Sequence, residues 1–240
     1  MMLRLNKYLA DRGVASRRKC DEYIAQGMIK INGVVVTELG TKVDTEKDTV
    51  EVAPQLQLIK AELKYYVVNK PVGYVCSVTG PEEPKVTELV KDIPARLFPV
   101  GRLDKLTSGL LIMTNDGQFA YELTHPKFEK EKEYVVKVRE KVTDEKLRLL
   151  RERFFIKGKL TQPPDIQLAS PHLFHVILHE GRNRQIRRMC ERTGLTIEKL
   201  KRIRIAKLVL GNIDAGQYKE LNAEHRDALK GLTKEVILVS

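Results

Sequence analysis

The sequence predicts a chain of short helices and strands divided into two parts. Three observations carry this. The apolar run Leu110-Leu111-Ile112-Met113 is unbroken and stops at the turn signal Asn115-Asp116-Gly117. A run of that length between turn residues reads as a strand buried on both faces. Segments such as 130–138 (KEKEYVVKV) and 174–178 alternate in polarity, as half-buried strands do. The N-terminal stretch carries two short amphipathic helices and a hairpin, followed by residues 53–63 (APQLQLIKAEL), which read as a linker. The expected parts are therefore residues 1–60 and 61–240.

The buried run also frames a candidate site. Phe98-Pro99-Val100 is strand-like, and Gly101 then breaks it into a polar turn holding Arg102, Asp104 and Lys105. Asp104 thus falls on a loop pinned between two core strands, where a rigid scaffold commonly presents catalytic groups. The alternative is a carboxylate that pairs with Arg102 or caps a turn.

Composition narrows the partners. The 240 residues are 42% apolar, enough for a real core, and carry a net charge of +11. An excess of that size points to a polyanion, with nucleic acid first and an anionic membrane surface second. No apolar stretch approaches the roughly 20 residues of a membrane span. The N-terminus, MMLRLNKYLADRG, is charged throughout and does not read as a signal peptide. Cys20, Cys76 and Cys190 are odd in number and far apart, so neither a disulfide framework nor a zinc site follows, and reducing cytosol is expected. His172, His175 and His179 have a spacing that suits metal on a helix, but Leu173 to Leu178 alternates like a strand, so no metal is expected.

In chain order, Leu3, Leu5, Tyr8 and Leu9 make a short helix ending at Gly13. Ser16 is a good N-cap for a second helix, Arg17 to Gln26, with Gly27 after it and Cys20, Tyr23 and Ile24 inward. Arg17, Arg18 and Lys19 then sit at the end where positive charge opposes the helix dipole, either for a bound anion or as a solvated surface. Asn32-Gly33 between apolar segments signals a hairpin, and Val43 and Val50 to Val52 add short strands. The second part opens with a strand at Tyr65 to Val68, turns through Asn69 to Gly73, and returns as a strand at Tyr74 to Val78. A loop (79–84), a short helix (86–90), a two-turn helix (118–124), the strand 130–138, a helix (144–153) and the strand 174–178 follow.

The strongest charge feature comes last. Between Arg182 and Lys207 ten basic residues face two glutamates. Ile186, Met189 and Cys190 lie at i, i+3 and i+4, so this basic segment begins as a helix with a buried stripe, ended by Gly194. The next segment, Leu200 to Ile205, reads as a strand with Arg202 and Arg204 on one face. A charge run is usually a solvated face, but one-signed charge on a helix that must also bury an apolar stripe favours a nucleic-acid contact surface over that alternative.

Several of these stretches together form a pattern. Leu5-x-x-Tyr8-Leu9-Ala10, Ser16-Arg17-Arg18 and Ile24-x-x-Gly27-x-Ile29-x-Ile31-Asn32-Gly33 resemble the small RNA-binding module named for ribosomal protein S-four. NKPVG (69–73), GRLDKLTSGLLIMTNDG (101–117) and EGRNRQIRRM (180–189) closely resemble the RsuA/RluB/RluF family of ribosomal RNA pseudouridine synthases, over the chain to about residue 222.

The resemblance implies an α+β fold: a mixed, largely antiparallel central sheet flanked by helices, with the N-terminal module tethered flexibly. It implies isomerisation of uridine in place, with the catalytic aspartate at Asp104, its salt-bridge partner at Arg187 and a base-stacking tyrosine at Tyr134. Whether the carboxylate attacks covalently or steers a proton stays open. Leu200 would line the pocket. Arg17, Arg18, Lys19, Lys70, Arg102, Arg182, Arg184, Arg188, Arg202 and Arg204 are the expected RNA contacts. No cofactor or metal is implied, and the protein is expected to be a cytoplasmic monomer acting on ribosomal RNA. The stretch RRMCERTGLTIEKLKRIRI is nearer the RluF-type enzymes than RsuA, which implies large-subunit RNA, with a tRNA anticodon uridine as a second substrate. The competing reading is a non-catalytic RNA-binding or ribosome-assembly factor on the same scaffold. A basic membrane-surface protein is disfavoured, because the basic helix lacks a large exposed apolar face.

Overall fold

The computed structural model describes every residue except 57, 59–61, 79, 82 and 240. Part of the expected linker (57 and 59–61) and of the loop 79–84 (79 and 82) therefore lies outside the described residues. The chain forms two compact units, Met1–Leu63 and Lys64–Ser240.

The first unit contains β1 (Met2–Arg4), α1 (Leu5–Asp11), α2 (Arg17–Ala25), β2 (Ile29–Ile31), β3 (Val34–Val36), β4 (Lys42–Asp44) and β5 (Val50–Val52). Ser16 caps α2 by accepting from the Lys19 N–H at 3.2 Å, which satisfies one of the donors a helix start leaves free. Asn32 and Gly33 both take positive φ, 52° and 79°, the conformation of a tight hairpin turn, and β2 pairs antiparallel with β3 across it. Leu5, Leu9, Cys20, Ile24, Ile29 and Val43 are buried together. Their packing leaves Arg17, Arg18 and Lys19 exposed.

The second unit contains β6 (Tyr65–Lys70), β7 (Phe98–Val100), β8 (Ser108–Thr114), α3 (Gly117–Thr124), β9 (Lys132–Val138), α4 (Asp144–Leu150), β10 (Phe155–Ile156), β11 (Lys159–Leu160), β12 (Asp165–Ser170), β13 (Leu173–Leu178), α5 (Gln185–Arg192), β14 (Ile197–Ile205), β15 (Leu208–Val209), β16 (Tyr218–Glu220), α6 (Ala223–Lys230) and β17 (Ile237–Leu238). The main sheet runs β12-β13-β9-β14-β8-β6-β16, with β7, β15 and β17 off that path. It is mixed and mainly antiparallel; β14 pairs parallel with β8, and β15 with β17.

The run 110–113 lies at the centre of β8, with all four side chains fully buried. Leu110 and Ile112 pack toward α3 and α6, Leu111 and Met113 toward Val68, Val86 and Leu97. Burying each stabilises the fold by roughly 1.5–3 kcal/mol. Asp116 ends the strand and starts α3, accepting from the N–H groups of Gln118 and Phe119. Gly109 is required where β8 meets β14. Its φ is +106°, and a Cβ there would lie 2.1 Å from the Arg202 carbonyl oxygen.

The structure departs from the sequence reading in several places, beginning with Leu3, which lies in the strand β1 rather than in the first helix. Residues 74–78 form no strand. Val75 makes only a bridge to Lys85, because its N–H bonds the Pro84 carbonyl and the partner segment, which contains prolines, cannot supply a ladder. The helix expected over 144–153 ends at Leu150, and Phe154 instead turns inward with its N–H on Thr161 Oγ1. The polar-rich strand β12 and the elements from β15 to β17 were not foreseen.

Candidate active site

Asp104 lies on the loop between β7 and β8, and that loop is fixed at nearly every residue. The Thr107 N–H closes a turn onto the Asp104 carbonyl at 2.9 Å. Lys70 Nζ, fully buried at the end of β6, donates to the Thr107 and Pro71 carbonyls, both at 2.8 Å. The Gly73 N–H reaches the Lys105 carbonyl at 2.8 Å, and the Leu103 N–H points at Cys76 Sγ at 3.3 Å. The NKPVG turn therefore serves as a splint for the aspartate loop.

The third side of the site is α5. Ile186, Met189 and Cys190 are buried, and Arg187 stands on the flank of that stripe with its side chain 14% exposed. Its Nη2 donates to the Leu106 carbonyl at 2.8 Å and to Thr107 Oγ1 at 3.1 Å. Its Nε is 3.7 Å from Asp104 Oδ2, an ion-pair distance but not a hydrogen bond, and that buried nitrogen has no hydrogen-bond partner among the described residues. The Asp104 side chain is 35% exposed, so the carboxylate is reachable from outside.

Tyr134, half-buried on β9, packs against two apolar clusters at once. One contains Ile186, Met189 and Leu200, the other Leu103 and Leu111. The strand registers place Lys70, Gly109, Arg202 and Tyr134 in one row across β6, β8, β14 and β9.

The site is rich in cations held in low dielectric. Burial lowers the pKa of Lys70, partly offset by Cys76 and Asp104. Burial also lowers that of Arg187, while Asp104 opposes the shift. Lys132, near Tyr134 in β9, is pushed down to about 8, first by burial and then by Arg202. The Cys76 thiol is pushed up by burial.

Three expected RNA contacts are corrected by this geometry. Lys70 has no exposed surface and is spent on the loop carbonyls. Arg202 is 3% exposed, and its Nε donates to the Leu110 carbonyl. Arg204 is buried against Glu133 at 2.8 Å and Glu131 at 3.0 Å, and also bonds the Ala206 carbonyl. The alternation of β14 does put Arg202 and Arg204 on one face, but that face is the packed one. Arg182 is half-buried and engaged by Glu180 and by the Lys159 and Leu160 carbonyls. Arg102, Arg184 and Arg188 are exposed, and in the first unit so are Arg17, Arg18 and Lys19. Sequence reasoning missed Thr107 and the splinting role of Lys70; a lysine closing an apolar strand just before a proline is the signal that was available.

A reachable carboxylate beside a guanidinium, on a loop braced by buried cations and with exposed arginines nearby, is an arrangement that suits an enzyme acting on an anionic substrate. Residues 64–192 match the family described as RNA pseudouridylate synthase, and residues 3–50 match the S4 domain. The chain is 42% identical to the ribosomal large subunit pseudouridine synthase B of Bacillus subtilis, over 96% of this chain and 97% of that one. It is 38% identical to the dual-specificity RNA pseudouridine synthase RluF of Shigella flexneri, over 91% of this chain and 75% of the other. A crystal structure of pseudouridylate synthase, 29% identical, superposes with a TM-score of 0.69 over 95% of this chain and 99% of that one. The chain belongs to the pseudouridine synthase family of ribosomal RNA-modifying enzymes, RluB and RluF among them.

Proposed function

We propose that this protein isomerises a uridine of large-subunit ribosomal RNA to pseudouridine, with Asp104 as its catalytic carboxylate. The reaction breaks the bond from ring nitrogen 1 to the sugar, turns the base, and joins carbon 5 to the same sugar carbon, with the carbon-5 proton leaving to solvent and nitrogen 1 taking up a proton. Nothing is hydrolysed, so one carboxylate suffices where glycoside hydrolysis uses two. Asp104 faces the sugar as nucleophile or proton guide. Arg187 aims the carboxylate through its free Nε, and Tyr134 offers an aromatic face to the extruded uracil. Leu200, in the cluster under Tyr134, supports that platform. Arg102, Arg184 and Arg188 take the RNA phosphates, and Arg17, Arg18 and Lys19 do so on the first unit.

The observation that carries this reading is the 3.7 Å approach of Arg187 Nε to Asp104 Oδ2 on a loop whose backbone is held by Lys70. Such pairs are loose before substrate binds and tighten in the complex. A tRNA anticodon uridine is the second substrate we propose. Mapping pseudouridines in ribosomal and transfer RNA from cells with and without the protein tests both. The expected result is the loss of one large-subunit pseudouridine and one anticodon pseudouridine. Identical maps would leave an RNA-binding assembly factor as the function.

A further inference from the structure

We infer that Val72 and Leu106 form an apolar wedge that enters the RNA base stack beside the target uridine and fills the gap the extruded base leaves. The inference rests on the pseudouridine synthase reading above and adds to it the way the target base is extracted.

Both side chains stand in solvent at the rim of the site. Val72 is 54% exposed and Leu106 59% exposed. Single exposed apolar residues are common and by themselves mean nothing. These two differ in how their backbone is held. Val72 sits between Pro71, whose carbonyl accepts from Lys70 Nζ, and Gly73, whose N–H bonds the Lys105 carbonyl. Leu106 offers its own carbonyl to Arg187 Nη2, and its neighbour Thr107 accepts from Lys70 Nζ. The two turns are thus tied to each other and to the same two cations that brace Asp104. Gly73 takes φ +97°, so the first turn can double back to reach the second. Exposed loop tips are usually mobile. Here backbone hydrogen bonds tie both tips to the loop that carries Asp104.

The surroundings select the occupant. Arg102 and Lys105, on the same loop, are exposed cations. An apolar tip ringed by positive charge is complementary to a ligand with flat apolar faces on an anionic chain, which is what stacked nucleotides present. Extruding a uridine opens a gap between its neighbours, and apolar wedges are the side chains that lodge between base steps. A wedge rigidly coupled to Asp104 would set the distance between the opened stack and the carboxylate.

The test uses the full-length protein and an unmodified large-subunit ribosomal RNA transcript to find the uridine it converts. That uridine is then placed in two hairpins with 2-aminopurine beside it. In one it is paired and stacked; in the other it is bulged and already out of the stack. The variant carries V72S and L106S together, with L106M as the conservative control and thermal melting to confirm folding. The wedge predicts that the double variant loses about tenfold in single-turnover rate at saturating RNA on the paired hairpin, loses less than about twofold on the bulged one, and fails to raise the 2-aminopurine fluorescence. L106M should keep both. Equal loss on both hairpins, or none on either, overturns the inference. A wild-type protein that forms no pseudouridine in the transcript overturns the underlying reading instead, whatever the variants do.

Discussion

Arg187 faces Asp104 and holds Leu106 and Thr107 with different nitrogens of one guanidinium: Nε lies 3.7 Å from the carboxylate, while Nη2 donates to the Leu106 carbonyl and Thr107 Oγ1. One side chain therefore both faces the proposed catalytic group and fixes the loop that carries it. This makes a phosphate role for Arg187 geometrically poor, since its Nε and Nη2 are both turned toward the loop.

The first prediction follows. Arg187→Ala should slow single-turnover isomerisation at saturating RNA and leave the salt dependence of binding nearly unchanged. It should also destabilise the fold by about 1–3 kcal/mol, because the Leu106 carbonyl and Thr107 hydroxyl lose their donor. Stopped single-turnover rates and urea unfolding of the same preparation check both. A normal rate with a shallower salt slope would make Arg187 a phosphate ligand.

Arg184 and Lys70 should behave in opposite ways. Arg184 is exposed at the start of α5, so Arg184→Ala should weaken RNA binding and lower the salt slope by about one unit, with little effect on the chemical step. Lys70 is buried, so Lys70→Met should leave the slope alone and loosen the aspartate loop, reducing the rate. Titrating binding against salt for both variants separates them.

That pair of residues shows where the sequence was legible. Helix and strand periodicity located β9, α2 and α5, because each has one face that must be buried and the burial dictates the pattern, and an unbroken apolar run located β8, which is buried on both faces. The Asn32-Gly33 hairpin was equally plain, since few residues tolerate its two positive φ values. The charge run was only half legible. Ten basic residues reveal a positive field, but not which of them are turned inward. Arg202 and Arg204 were expected as RNA contacts but are turned inward, because their partners, the Leu110 carbonyl and Glu131 and Glu133, lie on segments remote in sequence. Residues 74–78, apolar and strand-like on their own, find no ladder for a local reason: the segment beside them contains prolines.

Gly109→Ala should be among the most damaging single-methyl additions in the protein. The added Cβ would meet the Arg202 backbone, and the φ of +106° is hostile to any side chain. Overpacking and backbone strain together predict a loss of about 3 kcal/mol or more. Urea denaturation measures it; a midpoint equal to that of the wild type would mean that β8 and β14 separate more easily than their packing suggests.

Lys132 should leave a mark on stability at alkaline pH. Its folded pKa, about 8, lies below its usual 10.5. Between those values the unfolded chain binds more protons than the folded one, so Lys132 makes stability rise with pH across that window. Below about pH 8 the folded protein must carry the desolvated charge in full. Lys132→Met should therefore unfold at higher urea than wild type at pH 7, and the difference should shrink as the pH approaches 10.5. A difference independent of pH would show that packing, not charge, is responsible.

The most direct measurement is release of tritium from RNA labelled at carbon 5 of uridine, because that proton must leave when the new bond forms. Asp104→Asn preserves the size of the side chain and removes its charge. With the wild-type protein releasing label, the Asn variant should bind the same RNA within a few-fold and release no label in a single turnover at saturating protein. Release by a sequence-verified Asp104→Asn preparation at a rate approaching the wild type would show that the chemistry does not depend on this carboxylate.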